Sequence, residues 1–501
     1  MRILTTILLF IHFISLSQDI DSVSISALNS PMENKTFNLI YGDKDSLIGD
    51  FRLAPDLIFA TATKNNFYQT GISLQYRFQK IGQKGHHWEG NIYSRGGITS
   101  NSSIPYFSDP QTKSFFLNPI KDSLFGNPTL YYLDFNGSVS YRIKLFSMNL
   151  GMDRPQSGFS YRSLYSSSTG ISNPFLSLSL KFNKSISYSF RQDVLREKIA
   201  GHFEPKGNVS HVFSYNHKGL SKLQFRLFES VVYQIKDTLY NRGFEVEYLN
   251  PILFFRPQEY NLASADNIIL GAEFSYVFGR KKNINSLNRT RVYGQLLLDD
   301  FLLSAIRARN GWWANKYGIN LGLEVSNKTK DSLKTAKKYF VEFTYMRPYV
   351  FSQTNPGIVY GNQGLPVGHS LGSNFAELYQ EYSYFSFRNH LNIDVFLQAF
   401  IKGVDSVGFK SISYGGDIYK SYSKHPYEFN NRVGQGVTLR GIHLGTRFAY
   451  VFIKKTFSKN LHFYIEPRFR LLFFENRRQS DIFLSIGIQS SLWRNKDRLN
   501  Y

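Results

Sequence analysis

The chain has 501 residues, a net charge of +22, 45 Phe, 33 Tyr and no cysteine. The missing cysteine excludes a disulfide-stapled fold and a thiolate metal centre. Beyond the first residues no uncharged apolar stretch reaches the roughly 20 residues of a spanning helix, which excludes a helical membrane protein. Yet aromatic residues at 16% of the chain are more than most soluble folds use without additional aliphatics.

The N-terminus carries Arg2, an apolar run from Ile3 to Ile14, and the small-residue exit Ser15-Leu16-Ser17. This is the pattern of a cleaved export signal, too short for an anchor helix. Residues 1–17 are expected to be removed, leaving Gln18 first.

From there strand patterns follow one another nearly to the end. Candidates lie at 67–78, 129–142, 144–151, 174–190, 208–216, 221–236, 268–278, 290–299, 317–326, 338–347 and 378–400, separated by Gly, Asn, Asp, Ser and Lys clusters. Segment 298–313 offers an alternative short helix, because Leu298, Phe301, Leu302 and Ala305 keep a helical period. Residues 441–452 resume the alternation, and 454–460 read as a polar turn. Between 461 and 474, His462, Tyr464, Glu466, Arg468 and Arg470 alternate with Phe463, Ile465, Pro467 and Phe469, as in a strand with one wet face and one greasy face. Ile482, Leu484, Ile486 and Ile488 repeat the period in the segment ending at Trp493.

Strands with one apolar face, abundant aromatics and no spanning helix together predict an all-β fold. It is a single large antiparallel transmembrane β-barrel occupying 18–501, with long extracellular loops. At roughly 25–30 residues per strand with its loop, about 480 mature residues give about 16–18 strands. No Pro/Ser-rich linker, charge block or repeat divides the chain. The loops 352–374 and 403–436 are long enough to fold inward.

The charge favours anionic partners: lipopolysaccharide phosphate in the outer membrane, or acidic surface polysaccharide. The plainer account places Lys and Arg at turns against lipid phosphate. Export argues against nucleic acid. No catalytic constellation emerges. The His are scattered apart from His86-His87, with no His-Glu-x-x-His and no Gly-x-Ser-x-Gly. Neither a metal site nor a cofactor is expected, Gly361–Gly364 and Gly434–Gly436 reading as turns.

Several stretches in order resemble the Wzi-like capsule-assembly barrels, especially their gliding-motility relatives of the RemB type. They include Gly158-Phe-Ser-Tyr-Arg-Ser-Leu164, Arg242–Pro251, Phe255–Tyr260, Tyr293–Phe301 with Asn310–Lys316, Arg347-Pro-Tyr349, Tyr360–Phe375 and Tyr414–Tyr422. The resemblance covers roughly 150–440. It implies a non-enzymatic outer-membrane barrel that handles surface polysaccharide or serves gliding motility with motility or export partner proteins. An outer-membrane porin or transporter for small solutes is the alternative, and a barrel lipase or protease a third class. Arg256, Glu259, Trp312, Trp313, His369, Asn374 and Asp417 are the candidate ligand-binding residues, since Trp faces stack on sugar rings and Arg forks bind carboxylates. The architectural reading makes the Trp pair an interfacial girdle and Arg256–Glu259 a lumen ion pair.

Overall fold

The computed structural model describes residues 37–40, 46–62, 65–82, 85–100, 116–124, 127–154, 157–167, 171–199, 202–217, 223–235, 243, 246–249, 266–278, 281–283, 286–300, 302–329, 335–386, 389–405, 412–452, 461–474 and 477–490. The export signal, Arg256 and Glu259 lie outside them.

One antiparallel sheet dominates. Its first six strands are β1 (Ser46–Ala62), β2 (Asn65–Ile81), β3 (His86–Ser100), β4 (Asn127–Ile143), β5 (Phe146–Asp153) and β6 (Asn173–Lys181). The middle six are β7 (Ile186–Ile199), β8 (His202–Asn216), β9 (Leu223–Gln234), β10 (Asn267–Phe278), β11 (Ser286–Asp300) and β12 (Lys316–Thr329). The last six are β13 (Thr335–Met346), β14 (Phe375–Ser386), β15 (Leu391–Val404), β16 (Val437–Val451), β17 (Leu461–Phe474) and β18 (Arg477–Ser490). Each pairs with the next, and β18 pairs with β1 from Leu57↔Ile488 to Ala62↔Phe483. Each of these 18 strands is thus hydrogen-bonded to a neighbour on both sides, β1 meeting β18 over Leu57–Ala62 only. Three short strands (37–40, 116–124 and 281–283) pair with β1, β4 and β11.

The period-two alternation has a direct consequence. Along β12, Ile319, Leu321, Leu323 and Val325 are exposed while Lys316, Gly318, Asn320, Gly322 and Glu324 are buried. On β17, Phe463, Ile465 and Phe469 face out and Tyr464, Glu466 and Arg468 face in. Glu466 there holds Arg468 at 2.5 Å and Arg447 of β16 at 3.5 Å. A continuous apolar exterior around a charged interior is stable only with lipid outside. Leu321→Arg is accordingly expected to cost about 2–4 kcal/mol in a bilayer. Reversible unfolding from vesicles measures this, and a change near zero would mean that β12 does not face lipid.

The two ends differ. Connections at one end are all short (82–85, 144–145, 182–185, 217–222, 279–285, 330–334, 387–390 and 452–460), whereas every long one (101–126, 154–172, 235–266, 301–315, 347–374 and 405–436) is at the other, beside the short connections 63–64, 200–201 and 475–476. That asymmetry is the barrel layout of short periplasmic turns and long outer loops.

Two expected strands are each two. Segment 174–190 splits at 182–185, where the Asn183 side chain accepts from the backbone N–H of Ser185 and Ile186 at 2.7 and 2.9 Å. Segment 378–400 splits at 387–390, with His390 at φ 53°. The helix expected across 298–313 is one turn, α1 (Leu303–Arg307), because residues through Asp300 continue the β11 ladder.

Candidate functional site: a lumen filled by its own loops

Inward residues of neighbouring strands present carboxylates and amides to the lumen, and segment 157–167 lies across them as a strap. Backbone N–H groups of Tyr161 and Arg162 donate to the two oxygens of Glu342 (β13) at 2.7 and 2.9 Å. Phe159 N–H donates to Glu273 (β10) at 3.1 Å, and Leu164 N–H to Gln295 (β11) at 2.6 Å. The Ser160 hydroxyl bonds to Asn320 at 2.7 Å, and Tyr161 stacks on Phe340 at 4.3 Å. The strap enters through Gly158 at φ +115°, where a Cβ would also meet the Glu273 carboxylate at 2.8 Å, so glycine alone fits there. A buried loop needs its backbone donors satisfied, and the barrel wall satisfies these.

Arg162 anchors the strap. Its Nε and Nη2 donate to the two oxygens of Glu377 (β14) at 2.7 and 2.8 Å, and both side chains are almost wholly buried. His369 Nε2 lies 3.0 Å from the same carboxylate, and Gln398 (β15) donates to it at 2.6 Å. Burial holds the His369 imidazole below its ordinary 6.5, prevailing over the Glu377 carboxylate beside it, while Arg162 and Lys402 push the same way. A depressed histidine stabilises the fold above the unfolded value, and that stability is lost as pH falls below 6.5 through the folded value. The unfolding midpoint should therefore drop on acidification below pH 6.5, and His369→Gln should reduce that drop. An unchanged pH profile in the variant would remove His369 from the account.

Segments 347–374 and 412–436 pack with the strap inside the wall. Leu164 and Tyr165 of the strap, Val350, Phe351, Val359, Tyr360 and Val367, and Ile418 form one apolar cluster with Leu195, Phe228, Ile269, Met346 and Phe375 of the wall. Each such buried aliphatic or aromatic chain is worth about 1.5–3 kcal/mol, so the loops hold inside as a core would. Tyr349 and Phe351 adopt φ 67° and 70° while fully buried, conformations that persist only where packing over-determines them.

The candidate residues divide between two places. His369 and Asn374 are buried structural members. The Asn374 amide donates to the Tyr414 and Gln435 carbonyls at 3.1 and 3.0 Å and accepts from Gly434 N–H at 2.9 Å, clamping one loop to the other. Trp312 and Trp313 sit at the long-loop end. Trp312 Nε1 donates to Glu428 at 2.7 Å, while Trp313 stacks on His425 at 4.4 Å and lies against Tyr422 at 5.0 Å. Asp417 is exposed and accepts from Tyr419 N–H at 3.0 Å. Arg162, Glu273, Glu342 and Glu377 were not among the candidates, although Glu273 and Glu342 fall within the expected strands 268–278 and 338–347.

The chain matches no protein-family profile and no curated protein sequence. Among solved structures it is similar to Wzi of Escherichia coli, described as a carbohydrate-binding β-barrel involved in group 1 capsule assembly. The identity is 14%, the TM-score 0.48, and the match covers 87% of this chain and 84% of that one. It is also similar to OccK9 of Pseudomonas aeruginosa (9% identity, TM-score 0.45, covering 88% and 97%) and to a BenF-like porin of Pseudomonas fluorescens (9%, 0.46, 88% and 99%).

Proposed function

We propose that this chain is a non-enzymatic outer-membrane β-barrel that closes its lumen with its own outer loops and serves the attachment or assembly of surface polysaccharide, or gliding motility. The observation that carries the first part is the strap. Loops tied by buried ion pairs and an apolar cluster leave little room for the diffusion path that the porin alternative requires, and a bare pore needs none of those contacts. With the long loops outward, Trp312, Trp313, Tyr422, His425 and Glu428 form an aromatic and acidic rim facing the cell surface. Aromatic rims of this kind meet sugar rings, while the excess of basic residues attracts anionic polymer in a salt-dependent manner.

The test is deletion of the gene, followed by complementation with the parent chain and with Trp312→Ala, Trp313→Ala and Arg256→Ala forms that reach the outer membrane. Capsule retention and surface spreading are expected to fall in the deletion and to recover only partly with the three variants. Normal retention and spreading in the deletion would defeat both the polysaccharide and the motility readings. Full recovery by all three variants would defeat the site assignment alone.

A further inference from the structure

Between the loop filling and the inner wall of β6–β8 lies a cavity of about 190 Å³. Strand register organises its wall. Ser177 faces Arg191 across β6 and β7, and Arg191 faces Ser210 across β7 and β8, while the Arg191 guanidinium leans over the Phe175 ring at 3.9 Å. In the next row Ser189 faces Ser179 on one side and Val212 on the other. The opposite side is formed by the strap and the 347–374 segment, which contribute Tyr165 and Tyr360.

Charge and size narrow the occupant. Arg191 Nη2 lies 2.8 Å from Asp193, and its Nε donates to the same carboxylate at 2.9 and 3.1 Å, so the one cation of the lining is offset by the one anion. An anionic guest would meet Asp193 with no spare positive charge. An apolar cavity of about 150 Å³ accepts a benzene ring, so this one is ring-sized, but it is lined by groups that donate and accept. Serine hydroxyls do both, as sugar hydroxyls do, and tyrosine rings cover the C–H face of a pyranose.

Resting on the polysaccharide reading above, we infer that this cavity is a subsite for one uncharged hexose unit of the bound polymer. Unlike the rim, it works by hydrogen bonding and shape, so its binding is insensitive to salt.

Saturation-transfer NMR on the purified full chain in detergent, with methyl glucoside, methyl galactoside and glucuronate as probes, tests this. Transfer to at least one neutral glycoside, unchanged from low to high salt and stronger than to glucuronate, is the expected result. Ser177→Leu, which puts a branched side chain into the ring's space, should weaken that binding about tenfold or more, since packed sites tolerate added volume poorly. Ser189→Leu should do the same from the neighbouring strand, and Ser177→Thr should retain binding; heat-shifted gel migration confirms that each variant is folded. Absence of transfer to the neutral glycosides, or equal binding in the folded leucine variants, overturns the subsite. If that happens while the deletion still loses capsule, the subsite alone fails; if the deletion keeps its capsule as well, the polysaccharide reading falls with it.

Discussion

Glu377→Gln should make the barrel leak. The glutamine keeps the side-chain volume but leaves the Arg162 guanidinium buried without its carboxylate and replaces one of the two oxygens that His369 and Gln398 meet with an NH2 group. Breaking a buried pair by neutralising one partner typically costs about 3–5 kcal/mol. Here the cost falls on the strap, because Arg162 is the point where it meets β14. In planar bilayers the parent chain is expected to pass little current and the variant to show frequent openings, with new protease cleavage within 157–167 in detergent. Replacing both partners, Arg162→Met with Glu377→Met, should restore part of the closure, since an apolar pair in the same space carries no stranded charge while His369 and Gln398 still lose their Glu377 oxygens. A large steady current through the parent chain would favour the porin alternative, and a quiet Glu377→Gln would show that the ion pair does not hold the strap.

The barrel wall was legible because lipid imposes a pattern on each strand separately. Phe463, Ile465 and Phe469 against Tyr464, Glu466 and Arg468 carry the two faces of β17 without reference to any other residue. Boundaries were less so where the alternation runs through a turn. Phe182, at the turn after β6, keeps the apolar rhythm, and only the Asn183 side chain, capping two backbone N–H groups, marks the break. The filling of the lumen was the least legible part. Arg162 and Glu377 are 215 residues apart, and nothing local to Gly158–Leu164 says that its backbone will be read by Glu273, Gln295 and Glu342. The same distance effect explains the candidate residues. Asn374 and His369 look like polar loop residues in sequence and become clamps only when 412–436 and β14 close on them. Trp313 reads as a free aromatic face until His425 stacks on it.

Gly368→Val should open the same lumen by an uncharged route. A Cβ at Gly368 would stand 2.1 Å from the Leu164 carbonyl oxygen and 2.9 Å from the Phe351 ring, closer than real contacts allow, and the first of these is backbone that cannot rotate away. The strap is pinned to the 347–374 segment at this point. Ser167 N–H donates to the Val367 carbonyl at 2.9 Å, and the Tyr360 hydroxyl to the Tyr165 carbonyl at 2.9 Å. Valine must therefore separate two segments that share one apolar cluster, and overpacking of this kind costs about 1–3 kcal/mol. Current and protease cleavage should rise as in Glu377→Gln, but independently of salt and without rescue by Arg162→Met. Because Arg162 and Leu164 belong to one short strap, the two substitutions should not add. Once either has released it, the second has little left to break, and the double variant should resemble the worse single one. Losses of stability and gains of current that summed fully in the double variant would mean that the strap is not a single unit, and that the ion pair and the glycine contact close the lumen separately.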